Sequence, residues 1–286
     1  MPATAGDSEP AQSIAHGAAV AFFGLPGSWT HMAARKVFGA SAEYRENATI
    51  SHVFESVVSD RVGFGVVPIE NSTEGGVNQT VDELIESDLR IHAEVVLEIA
   101  QCLMGQASEL SSVHRVASHP QGLAQCRHWL AKHLPHAEQI ASVSTTAAAR
   151  EATVDPHLAA ISSPLAAELN GLPIIRQAIQ DNAENATRFV VIARSDGPRS
   201  GSDKTSLVFS TAHSRGALRQ ALEIFDLAGL NLTRIESRPA PGRRWEYVFL
   251  TDLEGHREDE AVARALRDLS KRCSMVRVLG SYPRAT

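Results

Sequence analysis

Residues 62–84 read VGFGVVPIENSTEGGVNQTVDEL, and this stretch decides the fold class. It opens as a short apolar, β-rich run, passes through small polar residues and glycines, and ends with helical character. A strand, a hydroxyl-rich turn and a helix form the repeating phrase of α/β proteins. The phrase recurs on both sides. AAVAFF (18–23) leads through GLPGSWT into a helix around His31 to Phe38, and RVAS (115–118) leads through HPQ into a helix from Gly122 to His133. Residues around Ile140 lead through SVSTT into an alanine-rich helix to Ala152, and LAAISS leads into Pro164 and a helix ending at Asn170-Gly171. Pro120 and Pro164 occupy first helical positions, where a missing N–H is harmless. An α/β domain with much parallel sheet is expected.

Two apolar segments, VVLEIAQCLMG (95–105) and TRFVVIAR (187–194), are expected to cross between two lobes, with a cleft between the crossings. SDGPRSGSD (195–203) is a linker by composition. Beyond it the order of apolar runs and helical stretches becomes βαββαβ, a ferredoxin-like arrangement. The expected organisation is a tail (1–17), a first domain (18–195), a linker (196–203) and a second domain (204–286). Lobe 1 takes about 18–97 plus 182–195, and lobe 2 about 98–181.

Composition narrows the function. The 286 residues are 43% hydrophobic and 21% charged, enough for two water-soluble domains. A net charge of −6 argues against a nucleic-acid partner. Cys102, Cys126 and Cys273 form no disulfide framework, which fits a reducing compartment. The first seventeen residues lack the basic start and apolar block of a secretory signal, and the run from Ala18 to Phe23 is too short to span a bilayer. A disordered tail, a cytoplasmic location and no membrane partner are expected. GFGVVP (63–68) lacks the last glycine of a dinucleotide loop and no GxxxxGK[ST] occurs, so no nucleotide is expected. His128, His133 and His136 fall on a solvated helix face and its exit, and no metal or cofactor is expected.

Turns that put hydroxyls at a helix N-terminus are natural anion sites, and in a parallel sheet they would share one edge. The same Ser, Thr and Asn residues serve equally well as plain helix caps. Glu70 and Glu74 flank Asn71-Ser72 and are either general acids raised by burial or simple helix-start charges. His119 is either a pocket residue or a neighbour of a cap.

The motifs are more specific than the pattern. GLPGSWTHMAA, VVPIENSTEGGVNQTVDEL, SHPQGLAQC, STTAAA and NATRF, in that order, resemble the prephenate dehydratase family, and GALRQAL and ESRP resemble its C-terminal ACT domain. The resemblance spans roughly residues 18–283. It implies an α/β fold with a two-lobed type II periplasmic-binding-protein-like catalytic domain, followed by the βαββαβ ACT domain. It further implies decarboxylating dehydration of prephenate to phenylpyruvate without a cofactor, under control by L-phenylalanine. Carried over by motif, Thr187 is the expected catalytic residue. Ser28, Glu70, Asn71, Ser72, Ser118, Gln125, Thr145, Thr146, Arg188 and Phe189 are the expected substrate-binding residues. Gly216, Ala217, Leu218, Asn231, Glu236, Ser237, Arg238 and Pro239 are the expected effector-binding residues. A homodimer or homotetramer through the ACT domains is implied. Ser28-Trp29-Thr30 stands where the family usually has Thr-Phe-Ser, so Trp29 is expected to reshape the cleft edge. No chorismate mutase bundle is expected within the short N-terminal segment. Arogenate dehydratase and a non-enzymatic amino-acid-binding protein are the alternative readings.

Overall fold

The computed structural model describes residues 19–239 and 247–285, so the expected tail lies outside the described residues. In chain order the first lobe begins with β1 (Ala19–Phe23), α1 (Trp29–Phe38), β2 (Glu43–Asn47), α2 (Ile50–Val58) and β3 (Phe64–Asn71). It continues with β4 (Gly75–Gly76), α3 (Asn78–Glu86) and β5 (Arg90–Glu98). The second lobe holds β6 (Cys102–Gly105), β7 (Arg115–Ser118), α4 (Pro120–Gln125), α5 (Arg127–His133) and β8 (Glu138–Ala141). It is completed by α6 (Thr145–Glu151), β9 (Leu158–Ser162), α7 (Pro164–Asn170) and β10 (Ile174–Arg176). The chain then returns to the first lobe as β11 (Ala186–Ala193).

The two lobe sheets run β2-β1-β3-β11-β5, with β4 beside β3, and β10-β6-β9-β7-β8. Both are mixed. β1 lies parallel to β2 and β3, but β11 runs antiparallel to β3 and β5. The segment expected to be one crossing strand is broken at 99–101, where it leaves the first sheet as β5 and enters the second as β6. Residues 187–194 do not cross. β11 belongs wholly to the first sheet, and the return passes through 177–185, where Ile179 N donates to Gln101 O at 2.9 Å and Ile99 N donates to Asn185 O at 2.8 Å. The helix expected from Gly122 to His133 is two helices meeting at Cys126. Asp181 accepts from the backbone N–H groups of His128 and Trp129 at 3.0 and 3.1 Å, capping the second helix where Cys126 offers no side-chain cap.

After Asp196 and Gly197 come β12 (Asp203–Ser210), α8 (Ala217–Leu227), β13 (Leu232–Pro239), β14 (Tyr247–Glu254), α9 (Glu260–Arg272) and β15 (Met275–Pro283). The sheet order β13-β14-β12-β15, all antiparallel, is that of a ferredoxin-like domain. Its helices pack on one face through Phe209, Phe225, Leu253 and Leu269. The other face sits on the first lobe. Val208, Val248, Leu250, Leu279 and Tyr282 share a single apolar core with Val67, Ile69, Val81, Leu84 and Ile91. A Cβ at Gly280 would collide with the backbone of Ile91, and one at Gly197 with the carbonyl of His92. Those glycines let the last strand and the connecting segment lie directly on β5.

Candidate active site

Thr187 stands at the start of β11, opposite Asn71 at the end of β3. The Asn71 side chain links the two ends. Its Oδ1 accepts from the backbone N–H of Thr73 (2.9 Å) and Glu74 (3.1 Å), which fixes the amide orientation and turns Nδ2 toward Thr187. Nδ2 then donates to Thr187 Oγ1 at 2.8 Å and to Asn185 Oδ1 at 3.0 Å. Thr187 therefore accepts a hydrogen bond, and its own hydroxyl proton has no acceptor among the described residues. Ser72 ties the same two strand ends together. Its Oγ accepts from Ala186 N at 3.0 Å and faces Glu184 O at 3.3 Å, so its hydroxyl serves the backbone and not the cleft.

The cleft cavity lies next to this pair: Asn185, the partner of Asn71, lines it, whereas Asn71 and Thr187 stand outside its lining. This cavity of about 630 Å³ is bounded by Thr73, Glu74 and Asn185 on the first-lobe side and by Gln121, Gln125 and Arg127 on the second. Gln125 is anchored by Gln101, whose Nε2 donates to Gln125 Oε1 at 3.0 Å. Gln121 bonds Glu74 across the cleft. The lobes also touch at the other wall. There Gly27 packs on Ala166, Ser163 Oγ donates to Gly27 O, and Arg35 pairs with Glu168 at 3.2 Å. Ser28 caps α1 by accepting from His31 N at 3.2 Å. His31 is buried against Phe22 and accepts from Gly27 N through Nδ1. Burial, helped by Arg35, lowers its pKa and keeps the ring neutral.

Other expected residues stand deeper. Ser118 is fully buried and donates to Ile161 O at 2.8 Å. Gly122 has no room for a side chain, because Ser118 Oγ and the Thr145 methyl flank it. Thr146 is buried with its Oγ1 3.1 Å from Ser144, the cap of α6. His119 is a cap, accepting from Gln121 N at 3.3 Å. Trp29 packs into the apolar cluster of Phe22, Val95 and Phe189, so Phe189 is core and not a ring exposed to a ligand.

Arg188 and Glu70 point the opposite way from the expectation that they bind substrate. Side chains alternate along a strand, so Arg188 leaves the sheet on the face opposite Thr187. Its Nε donates to Glu94 (2.6 Å), one terminal nitrogen to Asp252 (2.6 Å) and the other to the Tyr282 hydroxyl (2.7 Å). Asp252 and Tyr282 belong to the second domain. Glu70 lies 3.5 Å from Arg188 and 3.5 Å from Arg234 of β13. Burial opposes charge on both Arg188 and Asp252, but each offsets this for the other. The guanidinium stays protonated and the carboxyl is held below the usual range. Burial raises the Tyr282 hydroxyl far beyond ordinary pH. A signal for this cluster was present in the sequence: Glu94 and Asp252 are charges inside runs that otherwise read as buried strands, where an ion needs a partner.

The second domain has a cavity of about 510 Å³ at the start of α8. Gly216, Ala217, Leu218 and Ser237 line it, joined by Arg219 of the GALRQAL motif and by Phe249, neither of which was among the expected effector-binding residues. Gly216 adopts φ 82°, the left-handed conformation that suits glycine at this turn. Glu236 and Arg238 alternate to the other face of β13, where Glu236 pairs with Arg234 at 2.6 Å and Arg238 pairs with Asp82 of α3. Asn231 and Pro239 lie outside the cavity lining, and Asn231 offers its backbone carbonyl to Glu254 N at 3.0 Å.

A two-lobed α/β domain with polar groups converging at the mouth of its cleft, carrying a ferredoxin-like domain with a separate cavity, defines a cleft enzyme joined to a ligand-sensing module. The family model described as prephenate dehydratase matches residues 20–197, and the ACT domain model matches residues 205–271. A bifunctional chorismate mutase/prephenate dehydratase of Aquifex aeolicus is 45% identical over 266 residues, 93% of this chain and 74% of the relative. The prephenate dehydratase of Arthrobacter aurescens, solved in complex with L-Phe, matches with a TM-score of 0.84 at 37% identity, covering 93% of this chain and 90% of its own. GqqA, described as a novel type of quorum-quenching acylase, matches with a TM-score of 0.84 at 32% identity, covering 94% of this chain and 98% of its own. The chain belongs to the prephenate dehydratase family and carries an ACT domain.

Proposed function

We propose that this chain converts prephenate to phenylpyruvate, carbon dioxide and water, and that L-phenylalanine bound in the ACT domain regulates the step. The observation that carries the reading is the hydrogen-bond polarity at Thr187. Asn71 donates to Thr187 Oγ1, which leaves the hydroxyl proton free to point at a leaving group. In the reaction the bond from the ring to its carboxylate breaks, releasing carbon dioxide, and that electron pair enters the ring. The ring carbon–oxygen bond breaks in turn, and the departing hydroxide takes up a proton to leave as water. Aromatisation supplies the driving force, so the site has only to hold a dianion and stabilise charge growing on the departing oxygen. A hydroxyl donor aimed at that oxygen suits this role, with the proton finally drawn from solvent. Lobe contacts at both walls hold the two sides of the cleft together, while the cleft itself stays open to the solvent that supplies the proton.

No helix among the described residues is long and apolar enough to cross a membrane. We read the enzyme as cytoplasmic and as pairing through its ACT domains. The exposed apolar side chains of Ile235 and Tyr247, near the edge of the ACT sheet, support that pairing. Purified protein assayed for phenylpyruvate with prephenate, with and without phenylalanine, tests the proposal. Turnover suppressed by phenylalanine upholds it, and release of phenylalanine from arogenate instead would change the substrate. Light scattering reads the oligomer, and a monomer at micromolar concentration would remove the pairing.

A further inference from the structure

We propose that Arg188 is a positioning residue for Thr187, and that Asp252, Ser206 and Tyr282 of the ACT domain complete the reaction site by fixing Arg188 from behind. The inference rests on the catalytic role proposed for Thr187. Three observations carry it.

The first is the backbone. Regular pairing of β11 with β3 is interrupted between Arg188 and Phe189, where Ile69 is the extra residue and Pro68 has no N–H to give. β5 pairs with residues 186–191 on the other side, so the irregularity lies only on the β3 side of β11, one residue from Thr187.

The second is a closed ring of hydrogen bonds on the opposite face. Arg188 donates to Tyr282 through one terminal nitrogen and to Asp252 through the other. Ser206 Oγ lies 2.6 Å from Tyr282 and donates to Asp252. Each hydroxyl has one proton, so the direction is determined: Tyr282 donates to Ser206, and Ser206 to Asp252. Every member is satisfied by the others. Glu94, which receives Arg188 Nε, is itself held by Lys204 at 2.8 Å and by the Ala285 backbone N–H at 3.0 Å, both in the second domain.

The third is the link to the effector cavity. β14 carries Phe249 in the cavity wall and Asp252 in the ring. β13 carries Ser237 in the wall, with Arg234 and Arg238 holding Glu70 and Asp82 of the first lobe from the other face. A ligand that moves either strand moves the anchor of Arg188.

Tyr282→Phe and Asp252→Asn are the informative variants, since neither residue lines a cavity or touches substrate. We expect kcat to fall roughly tenfold or more with KM changed less than about threefold, because displacement and not binding is altered. Phenylalanine should still bind, by calorimetry, but should no longer change the rate. A lower melting temperature with unchanged kcat and unchanged response to phenylalanine would mean the ring is scaffolding only, and would overturn the proposal. Should Asp252→Asn not fold, Tyr282→Phe alone decides, as it deletes one oxygen. Parent enzyme inactive on prephenate would sink the proposed activity without touching the ring. Hydrogen exchange at the amides of residues 186–189 then reads positioning directly. Faster exchange in Tyr282→Phe upholds it, and equal protection refutes it.

Discussion

At the scale of single residues, the orientation of the Asn71 amide governs what Thr187 can do. Replacing Asn71 with Asp keeps the shape but puts an acceptor where the donor stood, so the Thr187 proton would turn inward. We expect Asn71→Asp to lose on the order of 10²-fold in kcat, and Thr187→Ala roughly 10²- to 10⁴-fold, while substrate binding measured by calorimetry stays largely intact. Thr187→Ser should recover part of the rate, and full activity in Thr187→Ala would remove the catalytic assignment. Motif reading named these two residues, which the fold sets in hydrogen-bond contact, and it named Gln125, which lines the cleft. It did not find which way Arg188 and Glu70 point, because that depends on which domain covers the back of the sheet. Ser72 and Ser118 carry hydroxyls of the right kind, but their neighbours in space, Ala186 and Ile161, are far away in sequence.

At the scale of elements, the strand-turn-helix phrases were legible because their turns carry strong local chemistry: Ser28, Ser144 and Ser163 each cap a helix. Strand direction was not legible, because β11 returns to the first sheet only after the whole second lobe is built. β2, with the sequence EYREN, is a polar edge strand with little signal to read. In α2 the signal was there: Ile50, Val53, Phe54 and Val57 are buried at helical spacing behind the cap Thr49. The lobes approach closely at Gly27, whose φ is 92° and whose added Cβ would lie 2.9 Å from Ala166 Cα. Gly27→Ala should hold α1 and α7 apart. We expect KM to rise about tenfold and stability to fall by ~1–3 kcal/mol, read from steady-state kinetics and urea melts. An unchanged KM would show that this wall plays no part in closing the cleft.

For the whole molecule, the shared apolar core and the glycine contacts of Gly197 and Gly280 make two domains one unfolding unit. Calorimetry should show a single transition, and two separated transitions would contradict this. The same junction sets a pH dependence. Asp252 has its pKa lowered in the native state, burial being outweighed by Arg188 and Ser206, so the unfolded chain binds the proton more readily. Its stabilisation is therefore fully present above the ordinary carboxylate value of about 3.9 and is lost as the pH falls through the depressed native value. The difference in stability between the parent and Asp252→Asn should be constant from about pH 7 to 5 and shrink only below about pH 4.

The closed ring of Arg188, Tyr282, Ser206 and Asp252 also limits how such a gene can diverge or be recombined. One residue comes from the first domain and three from the second, and each leaves an unmet buried group when changed alone. A single exchange is penalised until its partners change too, so the four positions should drift as a set. An ACT domain grafted from a distant relative should restore a working, ligand-responsive chimera only when it brings a matching set for Arg188.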